Sequence, residues 1–380
     1  MGEKKVLVFH PAIAPYRVDF FNELYDRLGA KIVFYYDMPR SQDFDKDLIN
    51  SGLHFTPEHF ALGGRVMGHN IYPGYSIRIE KEKPDIVICS EFDAGLISAI
   101  MYRKLAKKDY SIFTICDDSL EIAASCNGVR NLSRSFALQK IDGLILSNDK
   151  AATYYNEMYG SNSYVFPIIP SAKSFYRDKE EAVELAGQYI REYELTGRRV
   201  FLYVGRIAKE KNLEYMIDSF ARDHVKHGEN ILFIIGDDLK ETPGYRQRLE
   251  KRVEELEAGE YIRFLGRKEG LELKAWYYLG QCLVLPSYCE RFGAVVGEAL
   301  LAGERVLVSS SAGSAVLVKK SVLKGNGFEF DLNEESIDFD RIAYKVPVTE
   351  KDWKVKESRM FMDFDKLMDG LCEWLLCTHR

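Results

Sequence analysis

Short β-branched runs alternate with helix-period segments along almost the whole chain, and this alternation is what most restricts the fold. Near-continuous apolar strands are buried on both faces, as in parallel sheets covered by helices. In the first half the strand runs are Val6–Phe9, Ile32–Tyr36, Ile86–Cys89, Ile112–Cys116, Gly143–Leu146 and Tyr164–Ile168. Helical segments lie between them, notably Arg17–Leu28, with Phe20, Phe21, Leu24 and Leu28 on one face, and Gly95–Ala106. The second half repeats the scheme. Strands Val200–Val204, Ile231–Ile235, Ile262–Leu265, Leu283–Leu285 and Val306–Ser309 alternate with helices Leu213–Phe220, Tyr245–Leu256, Leu271–Leu279 and Ala294–Leu301. A chain of 380 residues exceeds one ordinary core, so the expectation is an α/β protein of two Rossmann-like doubly wound domains.

The boundary is expected near Pro167–Thr196, where Pro167 and Pro170 interrupt the last strand and the charged run Arg177–Glu184 follows. This divides the chain into residues 1–170 and residues 171–357, followed by a C-terminal helix over 358–380. That helix shows Phe364, Leu367, Met368, Leu371 and Leu375 at helical spacing, whereas acidic Asp331–Asp340 reads as a loop.

The net charge of −6 is mild and neither half is basic, which argues against a nucleic-acid partner. None of the seven cysteines forms a C-x-x-C pair. Cys89, Cys116 and Cys282 sit in or beside apolar strands and read as reduced core thiols, with no metal site expected. The apolar stretch after Met1 is shorter than a secretory core, Val6 stands where a myristoylation signal needs Ser or Thr, and no run approaches the ~20 apolar residues of a membrane span. The expected location is the cytoplasm. Basic Arg103, Lys104, Lys107 and Lys108 offer a peripheral contact with acidic lipids, or simply a solvated helix end.

Ligands of open parallel sheets lie beyond the carboxyl ends of the strands. After Val200–Val204 come Gly205 and Arg206, then Lys211; the glycine permits a tight turn and the cations suit a diphosphate. After Leu283–Leu285 comes Pro286-Ser-Tyr-Cys-Glu290-Arg-Phe292-Gly293-Ala294-Val-Val-Gly-Glu298, a strand–loop–helix junction with a carboxylate on either side. Such junctions aim backbone N–H groups at anions, and flanking carboxylates accept hydrogen bonds from hydroxyls. A nucleotide sugar has that layout. The turn Ser309–Ser314 is a weaker phosphate signal.

Gly205-Arg206 with Lys211, then Gly236, Phe264-Leu-Gly266 and Glu290-x7-Glu298, resembles retaining glycosyltransferase family 4, of the GT-B fold. The similarity is strong over about residues 198–318. Pro15-Tyr16-Arg17 is similar to members that assemble bacterial surface polysaccharides, and Asp142–Ser147 and Val165–Pro167 fit the last strands of the family's first domain. The resemblance implies an active site in an interdomain cleft. It implies that Arg206 and Lys211 bind the donor diphosphate, that Glu290 approaches the donor sugar, and that the amides of Phe292, Gly293 and Ala294 contact sugar or phosphate. Glu298 would hold ribose hydroxyls, while Leu265, Gly266 and Arg267 would edge the base. No metal or other cofactor would be required.

Some positions depart from the family pattern. Cys116 falls where many relatives carry a histidine, leaving Asp117 or Asp118 to face the sugar. His10-Pro-Ala-Ile-Ala-Pro15 replaces a glycine-rich loop, placing His10, Tyr16 and Arg17 on the acceptor side, although His10 also fits a plain polar turn. The implied function is a retaining hexosyltransferase moving sugar from a UDP- or GDP-sugar to a saccharide or lipid-linked saccharide in polysaccharide synthesis. A sugar-nucleotide epimerase and a non-catalytic nucleotide-sugar-binding protein are the alternatives.

Overall fold

The computed structural model describes residues 4–36, 44–60, 64–66, 69–71, 74–238, 243–319, 325–341 and 356–378. They form two compact units, Met1–Ile168 with Phe364–Arg380, and Ile169–Asp363. The start of the chain up to residue 3, and residues 379–380 of the expected C-terminal helix, lie outside the described residues.

The first unit runs β1 (Val6–His10), α1 (Val18–Leu28), β2 (Lys31–Phe34), α2 (Lys46–Ser51), β3 (Glu58–His59), β4 (Gly64–Val66), β5 (His69–Ile71), α3 (Gly74–Glu82), β6 (Ile86–Ser90), α4 (Ala94–Leu105) and β7 (Ser111–Cys116). It continues through α5 (Leu120–Ser125), α6 (Gly128–Leu138), β8 (Gly143–Leu146), α7 (Asp149–Tyr159) and β9 (Ser163–Val165). Seven strands pair in the order β3-β2-β1-β6-β7-β8-β9, all parallel. The chain therefore reverses its direction of travel between β1 and β6. The last helix of the chain, Phe364–Cys377, returns to this unit with Phe364, Met368, Leu371 and Leu375 buried. Its Trp374 lies over Phe113, and a Cβ on Gly143 would come within 2.5 Å of that indole, so a glycine there lets the helix seat.

Asp118 stands at the heart of this unit. Arg134 pairs with it at 2.8 Å and the Tyr155 hydroxyl donates to it at 2.8 Å, all three being buried. Burial and the adjacent charges raise the Tyr155 phenol far above its usual range, so it stays a donor.

The second unit starts with α8 (Ala172–Phe175) and α9 (Lys179–Glu192), and alternates β10 (Arg199–Val204), α10 (Leu213–His224), β11 (Asn230–Ile235), α11 (Tyr245–Glu255), β12 (Ile262–Gly266), α12 (Gly270–Leu279), β13 (Cys282–Leu285), α13 (Val295–Leu301), β14 (Arg305–Ser309) and β15 (Gly327–Phe330). The order β12-β11-β10-β13-β14-β15 is again parallel, with its reversal between β10 and β13. With its label in chain order, the helix Phe364–Cys377 is α14.

Two elements add to the expected alternation. The charged run at 177–184, read as a boundary segment, opens the 14-residue helix α9, whose buried stripe is Ala182, Ala186, Gly187 and Ile190. Tyr189 on this helix stacks on buried Trp276 of α12. The acidic stretch Asp331–Asp340 is a loop, as expected, and runs into a 3-10 turn, Phe339–Arg341, that anchors it. Phe339 is 1% exposed and meets Phe201 and Phe220 edge-on, at 5.4 and 5.1 Å between ring centroids. Phe339→Ala should destabilise the second unit by about 3–5 kcal/mol, read from the shift of its denaturant midpoint at unchanged slope.

Candidate functional site

The reversal between β10 and β13 leaves a crevice at the carboxyl edge of the sheet, where the loops after these strands diverge. The loop after β10 begins at Gly205, whose φ of 154° follows Tyr203 and Val204 out of the sheet. The buried Tyr203 hydroxyl donates to the Arg206 carbonyl at 2.7 Å, pinning the turn. Gly236, after β11, lies against it: a Cβ there would fall 1.9 Å from the Gly205 carbonyl oxygen, so only glycine permits this approach. Asn212, with φ of 57°, closes the loop before α10.

The loop after β13 is held by the loop after β14. Glu290 bridges to Ala312, Ser314 N–H donates to the Phe292 carbonyl at 2.8 Å, and Ser309 Oγ donates to the Ser287 carbonyl. Gly313 makes this possible, since a Cβ there would meet the Arg291 carbonyl at 2.2 Å. Gly293 adopts φ of 93° beside Leu285, and Ala294 caps α13. Phe292 is buried. The Ser314 hydroxyl, fully buried near Gly293, has no hydrogen-bond partner among the described residues.

Side chains from the two loops meet. Lys211 is buried and its ammonium pairs with the Glu290 carboxylate, to which Ser287 Oγ also reaches at 3.5 Å. Arg206 is more open and lies 3.7 Å from Glu210. The Tyr288 N–H donates to the Glu210 carbonyl at 3.1 Å, a backbone tie between the same loops. Glu298, on α13, accepts a hydrogen bond of 2.7 Å from Tyr277. Burial and that carboxylate drive the Tyr277 phenol well above its usual pKa, so it remains a donor that aims Glu298. Tyr277 escaped the sequence reading because it sits in an apolar helical run and looks like core. Gly266 ends β12 with φ of 69°; the next residue, Arg267, donates its N–H to Asp237 at 3.3 Å and pairs with Glu269.

In the first unit the expected residues occupy the carboxyl edge of β1 and β7. Arg17 is buried, pairs with Asp117 and lies over the Phe20 ring at 5.3 Å. Its place is therefore to compensate and orient Asp117, not to meet ligand from solvent. Asp118, the other candidate to face a sugar, is consumed by Arg134 and Tyr155, whereas Asp117 keeps part of its carboxylate exposed. Tyr16 is exposed. His10 packs edge-on against Phe21, and its Nδ1 lies 2.9 Å from the Ala12 carbonyl. Loss of water, and then the Arg17 charge, lower its pKa to about 4.

The basic segment offered to lipids is largely committed elsewhere: Arg103 pairs with Asp142 at 2.7 Å and Lys108 with Glu80 at 2.8 Å. No helix among the described residues is long and apolar enough to cross a membrane. All seven cysteines are free. Two groups, Glu91–Cys116–Asp118 and Asp223–His227–Asp340, bring three possible metal-ligand atoms within 4.8 Å. In the first, Asp118 already serves Arg134; in the second, His227 pairs with Asp340 at 2.7 Å.

Residues 188–341 match the model of the family described as Glycosyl transferases group 1. That segment, which lies in the second unit, is similar to group 1 glycosyl transferases. An uncharacterised glycosyltransferase of Methanocaldococcus jannaschii is 31% identical over 160 residues, 42% of this chain and 37% of its own length. The α-monoglucosyldiacylglycerol synthase of Acholeplasma laidlawii is 21% identical over 82% of this chain and 79% of its own. Among solved structures, Anabaena HepE in complex with UDP superposes with a TM-score of 0.74 at 16% identity, covering 98% of this chain and 99% of that one. The fold is thus GT-B, and the segment that matches the family model falls within the second unit.

Because the folded-state pKa of His10 is depressed, the unfolded chain binds more protons between pH 6.5 and about 4. Stability contributed by the neutral ring is present above pH 6.5 and is lost as pH falls through that window, by up to roughly 3 kcal/mol. His10→Asn should flatten this part of the stability–pH curve relative to wild type, as measured by denaturant titration at pH 7 and pH 4.5.

Proposed function

We propose that the protein is a retaining glycosyltransferase that takes a sugar from a UDP- or GDP-sugar and transfers it to a hydroxyl of a saccharide or lipid-linked saccharide. The observation that carries this reading is the meeting of Lys211 and Glu290 across the two loops that flank the β10/β13 reversal. Around that pair stand Arg206, an orphaned Ser314 hydroxyl and a Glu298 carboxylate oriented by Tyr277. The UDP bound in the Anabaena structure and the group 1 family match lend support.

On this reading the donor diphosphate takes the Lys211 ammonium partly from Glu290, freeing that carboxylate to accept hydrogen bonds from donor-sugar hydroxyls. Arg206 supplies a second cation with a planar fork of donors. Glu298 accepts from the ribose hydroxyls, and the edge at Gly266 and Arg267 borders the base. As the anomeric carbon parts from the diphosphate oxygen, charge grows on phosphate, and the two cations stabilise it. The acceptor oxygen bonds to that carbon on the same face, and its proton passes to the departing phosphate oxygen.

A thermal-shift series with UDP, GDP, ADP and their sugars should show a rise in melting temperature for one base and its sugar conjugates. Glu298→Ala should weaken nucleotide binding about tenfold or more, as expected for losing hydrogen bonds to a charged group. Arg206→Ala should chiefly lower turnover. Equal nucleotide affinity in wild type and Glu298→Ala would remove the ribose assignment. Interconversion of the donor sugar without acceptor would mark an epimerase instead.

A further inference from the structure

At the amino edge of the second sheet, opposite the donor loops, a carboxylate is buried without a partner. Glu304 stands between α13 and β14 and is 0% exposed. Among the described residues neither of its carboxylate oxygens has a hydrogen-bond partner. An ionised carboxylate in that state is costly away from water, so the buried group favours its protonated form. In the sequence Glu304 reads as an ordinary charge in a turn, beside Arg305.

Two other segments close over it. At the end of α12, a Cβ on Gly280 would fall 2.6 Å from a Glu304 oxygen and 2.5 Å from Leu202. Residues 356–360, which lead to α14, lie along Gly303, where a Cβ would meet Lys356 Cβ at 2.7 Å. The Lys356 ammonium donates to the Tyr278 carbonyl at 3.2 Å and to the Gly280 carbonyl. The last turn of a helix leaves such carbonyls without partners of its own, and its dipole favours a cation there. Arg359 completes the attachment: its Nε donates to the Gly303 carbonyl at 3.0 Å and its N–H to the Leu300 carbonyl at 2.8 Å. Glu304 and Lys356 thus converge on Gly280. Tyr277, in the same last turn, is the donor that aims Glu298.

The other ionisable groups around the pair are Cys282 on β13, Tyr277 on α12, Arg305 on β14 and Arg359. Burial drives the Glu304 carboxyl well above its usual value of 4.5, against the pull of the Lys356 charge. Burial likewise lowers Lys356 to about 8.

We propose that Glu304 and Lys356 form a proton-controlled clasp, shut while Glu304 keeps its proton, that fastens residues 356–360 to the last turn of α12 and so steadies Tyr277 behind Glu298. The link to ligand rests on the nucleotide reading of Glu298, whereas the clasp itself does not. Glu304 holds its proton more tightly in the shut clasp than in an open, hydrated one. Closure is therefore strongest below pH 4.5 and weakens as pH rises toward the shut-state value, by up to about tenfold per pH unit. Lys356 acts in the opposite sense, adding to closure only between about 8 and 10.5, so the range from pH 5.5 to 7.5 isolates Glu304.

The test is amide hydrogen exchange of the full chain across that range, corrected for the intrinsic rate, with peptides covering residues 356–361 referenced to peptides of β10. In wild type the ratio of exchange rates should rise by up to about tenfold per pH unit, and in Glu304→Gln it should stay flat. Lys356→Met, which loses both bonds to α12, should exchange faster at every pH. A ratio independent of pH in wild type, an equal slope in Glu304→Gln, or wild-type protection in Lys356→Met would overturn the clasp. The internal β10 reference lets the wild-type series decide even if a variant fails to fold. The nucleotide that gives the largest thermal shift should bind wild type progressively more weakly than Glu304→Gln as pH rises. A constant affinity ratio with an opening clasp would remove the tie to Tyr277, and absence of any nucleotide response would remove the transferase reading instead.

Discussion

Each unit depends on a parallel sheet that reverses its direction of winding beside its first strand. The strand interiors are mostly apolar, so charged side chains gather chiefly where the chain leaves the sheet. At the reversal the two outgoing loops part and leave a crevice between them. Backbone-to-backbone approaches then hold the loops in place, with Gly236 against Gly205 and Gly313 against Arg291. Side chains at these positions would push the loops apart and dissolve the arrangement of Lys211 and Glu290.

The same device carries different charge settings in the two units. In the second, Arg206 and Lys211 are cations paired with Glu210 and Glu290 on the outgoing loops. In the first, the Arg17 charge is locked inside by Asp117 and the His10 ring is kept neutral by burial. One topology therefore carries two electrostatic settings, and the difference lies in a handful of side chains at strand ends.

Much of the architecture was legible because apolar strands and helix-period faces are local patterns. The strand and helix alternation, the C-terminal helix and the loops after β10 and β13 could all be read from neighbouring residues. Helix α9 was missed because its buried stripe consists of Ala182, Ala186, Gly187 and Ile190, small residues that signal weakly beside Glu180, Glu181 and Glu184. Phe339 was missed because it is a single aromatic among acidic residues, and only the rings of Phe201 and Phe220 reveal what it packs on.

The amino-acid sequence by itself determined the alternation of elements, the two parallel sheets and the residue types that follow each strand, since these depend on spacings of a few positions. Tertiary structure alone decided which charges meet. Lys211 finds Glu290 from 79 positions away, Arg17 finds Asp117 from 100, and Asp118 is claimed by Arg134 while its neighbour is not. Such pairings are set by where distant loops return in space, and an ion's partner, exposure and protonation follow from that placement, not from the residues beside it in the chain.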